Sequence, residues 1–143
     1  MKLKYFSLVM CFLLAGCAET DIERNIVNEP HIISASGQEW TLQPAFVNKG
    51  NSTYLLLGIE GSWQVESPWQ EVIINDRKIK IWAQLEDKNG KIYFSEIIGR
   101  ANDKINLRFS NQLPRNTAFT KLRIFPSEDF PVKSISLHSR NFK

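Results

Sequence analysis

The chain reads as all-β: a single β-sandwich or jelly-roll-like domain of about eight antiparallel strands, set behind an N-terminal leader. Three observations predict this class. Short segments alternate apolar and polar residues with a period of two, as a half-buried strand requires. Clusters of turn residues separate those segments. No segment sustains a helical period over three turns.

The strands can be taken in order. Trp40, Leu42 and Phe46 alternate with the polar Thr41 and Gln43. From Thr53 to Glu60 both parities are apolar (Leu55, Leu57 and Ile59; Tyr54 and Leu56), which predicts a strand buried on both faces. Lys78 to Glu86 alternates most cleanly, with Ile79, Ile81, Ala83 and Leu85 on one side. Asp87-Lys88-Asn89-Gly90 reads as the hairpin turn after it, because Asn-Gly tolerates positive φ at both central positions. Lys91 to Ile98 returns, and Ile105, Leu107 and Phe109 share a face of the next strand. Thr120, Leu122 and Ile124 follow, with Phe119 and Phe125 on the opposite parity, and Ile135 and Leu137 close the chain. Phe119 to Phe125 and Val132 to Ser139 read as a closing antiparallel hairpin. The whole is similar in pattern to galactose-binding-like jelly rolls, a likeness that assigns no residue.

The first seventeen residues indicate an address. Lys2 and Lys4 precede an apolar run from Tyr5 to Leu14, too short for the roughly 20 apolar residues that span a bilayer. This is the plan of a secretory signal peptide. Its junction, Leu14-Ala15-Gly16-Cys17, resembles the lipobox of bacterial lipoproteins. The resemblance implies that Met1 to Gly16 is removed and that Cys17 carries fatty acyl chains (palmitate among them). Ala18 after the cysteine implies the outer membrane of a Gram-negative envelope, facing the periplasm. More than one acyl chain is needed for stable anchoring, which a lipoprotein's two or three would meet.

Loss of residues 1–16 leaves 127 residues, enough for one core. Cys11 falls in the leader, so an acylated Cys17 leaves no thiol for a disulfide or a metal. Residues 17–30 read as the lipidated cysteine and a flexible tether, with a short helix over Ile22 to Val27 as an alternative, and residues 31–143 as the domain. A thirteen-residue tether would reach about 45 Å. Charge is uneven along the mature chain: Cys17 to Gly99 has seven basic and twelve acidic residues, and Arg100 to Lys143 has nine and three. Interleaved strands would let the two halves neutralise each other; otherwise such asymmetry suits an anionic partner.

Signatures of catalysis are missing: there is no Gly-x-Ser-x-Gly elbow, Walker A loop or His-Glu-x-x-His. His138 lies on the parity of Ser134 and Ser136, so a Ser–His pair is conceivable, although small polar residues on a solvated strand explain the same pattern. Two histidines are too few for a zinc site. Asp87 to Gly90 lacks the later ligands of a calcium loop. No cofactor is expected, and nucleic acid does not fit the compartment.

Three tryptophans remain as candidate binding residues. Trp63 and Trp69 stand beside Gly, Ser and Pro in the loop Gly61 to Trp69, which suits a sugar-stacking platform, an anchor for a protein partner or core plugs. Trp82 shares the polar parity of its strand with Lys78, Lys80, Gln84 and Glu86. With Lys104, Arg108, Lys121 and Arg123 outward on other strands, a shared sheet would give a basic surface around Trp82, or an ordinary solvated face. The expectation is a non-catalytic envelope lipoprotein acting as a protein-binding or accessory module, with glycan binding through exposed tryptophans as the alternative. Its partners would be the membrane, through Cys17, and an envelope protein or a glycan.

Overall fold

The computed structural model of the chain describes residues 22–66, 71–109 and 113–141. Twelve strands occur among them: β1 (Ile22–Val27), β2 (His31–Ile33), β3 (Gln38–Val47), β4 (Ser52–Gly58), β5 (Trp63–Glu66), β6 (Glu71–Ile74), β7 (Arg77–Asp87), β8 (Ile92–Ala101), β9 (Lys104–Phe109), β10 (Ala118–Pro126), β11 (Phe130–Val132) and β12 (Ser134–Arg140). The all-β class is as expected. Eight strands form one antiparallel path in the order β1-β12-β4-β9-β8-β7-β10-β3, with β5 and β6 branching from β7 and a separate β11-β2 pair.

The path folds over on itself, and β8 makes the corner. Its first residues, Ile92 to Phe94, pair with β7, while Ser95 onward pairs with β9 through a register shift between Ser95 and Ile97. Such a bulge bends a strand and redirects it. The Ser95 hydroxyl accepts a hydrogen bond from the Ala83 amide at 2.9 Å, bridging to β7 at the bend. At the other side β1 and β3 are the two ends of the path, and Arg24 Nη1 donates to the Pro44 carbonyl across them at 2.8 Å.

Alternation builds the core. Leu55, Leu57, Ile105, Leu107, Ile135 and Leu137 face inward from one half; Phe46, Ile79, Leu85, Phe119, Leu122 and Ile124 meet them from the other, all fully buried. Fully burying such side chains contributes about 1.5–3 kcal/mol each before chain entropy is counted. β4 is buried along its whole length, as its apolar parities predict, because it lies between β12 and β9 and its outer face is occupied as well. There the Tyr54 ring stacks on His138 at 5.1 Å.

Polar residues hold the loops. Asn48, almost wholly buried, donates from Nδ2 to the Pro114 carbonyl and accepts at Oδ1 from the Thr117 amide, tying the β3–β4 loop to the segment before β10. Asp87 Oδ1 accepts from the amides of Asn89 and Lys91 and so shapes the β7–β8 turn. The Asp87-to-Gly90 hairpin is therefore present, in a different form from the one expected. Only Gly90 takes positive φ there, and the Asp87 amide bonds the Lys91 carbonyl, which gives a three-residue loop. The two-residue turns with both central φ positive are Asn75-Asp76 and Asn102-Asp103, where short polar side chains tolerate the left-handed region.

Two other expectations are corrected. Residues 22–27 are neither tether nor helix: β1 pairs with β12 from Ile22↔Ser139 to Val27↔Ile135, and Ile22, Ile26 and Val27 pack against the core. The domain thus begins at or before Ile22, and two of the polar residues that suggested a linker, Glu23 and Asn25, are the exposed parity of a strand. The closing hairpin also does not form. β10 lies between β7 and β3, and β12 between β1 and β4, because the segment from Ser127 to Lys133 crosses from one half of the sheet to the other.

Deleting residues 22–27 should therefore lower the denaturant midpoint or prevent folding. A midpoint equal to that of the undeleted chain would contradict the assignment of β1 to the fold.

Candidate functional site

The outer face of β8-β7-β10-β3 carries the exposed apolar side chains that a sheet normally turns inward. Register sets three cross-strand rows. Ile92 lies opposite Glu86, and Glu86 opposite Lys121, which faces Thr41; Phe94 lies opposite Gln84, Gln84 opposite Arg123, and Arg123 opposite Glu39; Trp82 lies opposite Phe125. Trp82 is 40 % exposed, Ile92 40 % and Phe94 53 %. Trp82 stacks on Phe125 with ring centroids 5.7 Å apart. The Phe125 ring also lies against Gly37, where φ is +93° and a Cβ would run into the ring. Glycine at that position lets the Phe125 ring settle close to the backbone under the Trp82 contact.

Charged groups share this face in balance. Arg123 Nε meets Glu39 at 2.7 Å and Nη2 meets Glu86 at 3.3 Å, while Lys121 Nζ stands 3.9 Å from Glu86. Burial alone would lower the Arg123 pKa; the hydrogen bonds it donates to Glu39 and Glu86, and their negative charge, outweigh it and leave the guanidinium above its ordinary value. The network fixes the middle of the face as a charge-neutral, ordered platform.

Of the two readings of Trp82's polar parity, a basic surface and an ordinary solvated face, the ion pairs speak for the second. Lys121 and Arg123 are beside Trp82's strand but paired with carboxylates. Lys78 meets Glu66 at 3.2 Å, and Lys80 lies opposite Glu71 on β6. Arg108 is on β9, opposite Tyr54, in the other half of the sheet, and Lys104 is on the same strand. What distinguishes the Trp82 face is its exposed hydrophobic surface. Sequence parity placed Trp82 correctly but missed Ile92 and Phe94, whose alternation with Tyr93 was the available signal.

Trp63 is a core residue, only 7 % exposed. The Arg100 guanidinium covers its ring at 3.9 Å and donates to its carbonyl, while Asp103 holds Arg100 at 2.7 Å. A sugar could not stack there. Trp69 and Cys17 lie outside the described residues.

The conceivable Ser–His pair does form. Ser136 Oγ and His138 Nε2 are 2.7 Å apart on the outer face of β12, opposite Leu56 and Tyr54. Among the described residues no carboxylate hydrogen-bonds the other ring nitrogen, so the orienting third group of a triad is missing. Burial lowers the His138 pKa, aided by Lys104 and Arg140 and opposed by Glu23. His31 is spoken for by Gln38 at 2.6 Å. Among the described residues no three His, Cys, Asp or Glu side chains cluster to hold a metal. A separate groove of about 690 Å³ runs beside the β11-β2 pair, walled by Ile32, Ile59, Ile74, Pro131 and Val132.

Because the folded-state pKa of His138 is below 6.5, the unfolded chain takes up the proton first as pH falls. Its contribution to stability is complete above the ordinary value and is lost as pH drops through the folded value. Thermal melts should show a decline from neutral pH to pH of about 5 that is shallower in His138→Gln; superimposable slopes would contradict this.

No protein-family model matches the chain, and no curated protein or solved structure is similar to it, so the reading of its function rests on the chemistry of these surfaces.

Proposed function

We propose that this chain is a non-catalytic, lipid-anchored lipoprotein of the cell envelope that binds a protein partner through the outer face of β7, β8 and β10. One observation carries the reading. Of the four large hydrophobic residues most exposed among those described, three (Trp82, Ile92 and Phe94) stand on adjacent strands of one face. Isolated exposed hydrophobics are ordinary; a contiguous group rimmed by polar residues marks an interaction site. The group stands on the outer side of paired strands, which suits another protein better than a small ligand seeking a cavity.

The composition of the face supports a specific contact. Tryptophan and arginine dominate the energetics of protein interfaces, and here Trp82 and the ordered Arg123 stand within one surface. The partner fitting it presents aliphatic or aromatic side chains to Trp82, Ile92 and Phe94, with polar groups meeting the Glu39, Glu86 and Arg123 network. The leader and the lipobox-like junction support the anchor, and Ala18 supports the outer membrane, facing the periplasm. Anchoring would hold the domain near its partner, so that modest intrinsic affinity suffices.

Glycan binding is the second reading, and the exposure of Trp82 favours it, since a stacked indole is a sugar platform. Affinity capture from the native envelope separates the two. Wild type should recover a defined protein, and both Trp82→Ala and Phe94→Ser should weaken that recovery at least tenfold, with melting temperatures little changed. Recovery of background proteins alone, or capture indifferent to both substitutions, would overturn the protein-binding reading. Capture of glycan, lost in Trp82→Ala and kept in Phe94→Ser, would replace it with the alternative.

A further inference from the structure

The strand directions sort the connecting loops to two ends of the molecule, and charge separates between them. One end gathers the N-terminus of β1 at Ile22, the loops over residues 48–51 and 88–91, the segment before β10, and the C-terminal end of β12. Direct bonds join these segments. The Lys88 amide donates to the Ala118 carbonyl, the Asn116 amide to the Asn48 carbonyl, the Gly50 amide to Ser139 Oγ, and Arg115 Nη2 to Asn141 Oδ1.

Lys49, Lys88, Lys91, Arg115 and Arg140 belong to this end. Lys49, Lys88 and Lys91 have no carboxylate partner among the described residues. Among the described residues the acidic ones here are Glu23 and Asp87, and Asp87 is buried with Oδ1 committed to turn amides; Glu19 and Asp21 lie outside the described residues. At the opposite end, among the described residues, the connections carry Glu29, Glu60, Asp76, Asp103, Glu128 and Asp129 against Lys133, with Asp103 paired to Arg100 and Glu128 to Arg77 from the adjoining strands.

The segment that precedes Ile22 joins the fold at the basic end. Five peptide steps separate Cys17 from Ile22, a reach of at most about 18 Å. β7, eleven residues long, spans about 34 Å from end to end. A group attached at Cys17 therefore stays near the basic end and cannot reach past the acidic one.

We propose that the basic end is a membrane-facing surface that lies against anionic phospholipid headgroups, with Lys49, Lys88 and Lys91 supplying the attraction. This inference rests on the lipid-anchored reading for its geometry and on charge for its partner. A basic residue near an anionic bilayer contributes about a fivefold gain in partitioning, and the effect decays within a Debye length. Facing the bilayer this way keeps the acidic end and its apolar groove distal and sets the Trp82 face sideways, clear of lipid.

The test uses the full chain, purified with its native N-terminus and reconstituted into phosphatidylcholine vesicles with or without phosphatidylglycerol. A fluorophore is placed at Asn89→Cys or, as the opposite-end control, at Asp76→Cys, and quenched by a headgroup nitroxide. The expected result is stronger quenching at position 89, increased by phosphatidylglycerol, weakened by salt, and reduced in a Lys49→Gln, Lys88→Gln, Lys91→Gln variant. Equal quenching at both positions, or indifference to anionic lipid and to the lysines, would overturn the surface. The mass of the N-terminal fragment from the same sample tests the anchor separately. An unacylated chain that still favours position 89 refutes the anchor alone, and an acylated chain without that bias refutes the surface alone.

Discussion

A single antiparallel sheet has to bury one of its faces on itself, and every other feature of this protein follows from that constraint. The sequence has cysteines only at positions 11 and 17, so no disulfide secures the described domain. Cohesion rests on inward-pointing Leu, Ile and Phe side chains and on the bend in β8 that brings the two halves of the sheet together. Because side chains alternate, a shift of one residue in any central strand would turn its whole apolar set outward. The register is therefore fixed by the core, and the outer residues are free to serve other ends.

That freedom gives the Trp82 face its meaning. Gln84, Glu86, Lys121 and Arg123 do what outer-face residues ordinarily do: they stay wet and pair with one another. Ile92 and Phe94 do not, and no demand of the fold keeps them there. Gly37 sharpens the point, since its missing side chain leaves room for Phe125 beneath the Trp82 stack. The basic loops act along a different axis, at the end from which the chain leaves toward Cys17. The two proposed roles are thus compatible, the side face for a partner and the end surface for lipid.

Much of the fold was legible because period-two alternation is local. The strands around Leu55, Ile81, Ile105 and Leu122 could be read directly, as could the two-sided burial of β4. Strand pairing was not legible, since Phe119–Phe125 and Val132–Ser139 are adjacent in sequence yet lie in different halves of the sheet. β1 escaped notice because its exposed Glu23 and Asn25 gave it the composition of a linker. Parity located Trp82, but which lysines and arginines accompany it depends on strand order. That is why Arg108 moved away and why Arg123 proved to be neutralised by Glu39, a residue distant in sequence. Trp63 shows the same limit: an aromatic in a polar loop became a core residue once Arg100 folded over it.

The central claim is that the Trp82 face is covered by a partner in the envelope, and hydroxyl-radical footprinting tests it most directly. Oxidation of Trp82 and Phe94 would be compared between the purified protein and the protein in its intact envelope, with Trp63 as the buried reference. The account requires both exposed aromatics to be protected in the envelope while Trp63 stays unreactive in both settings. Equal oxidation of Trp82 and Phe94 in the two settings would contradict it.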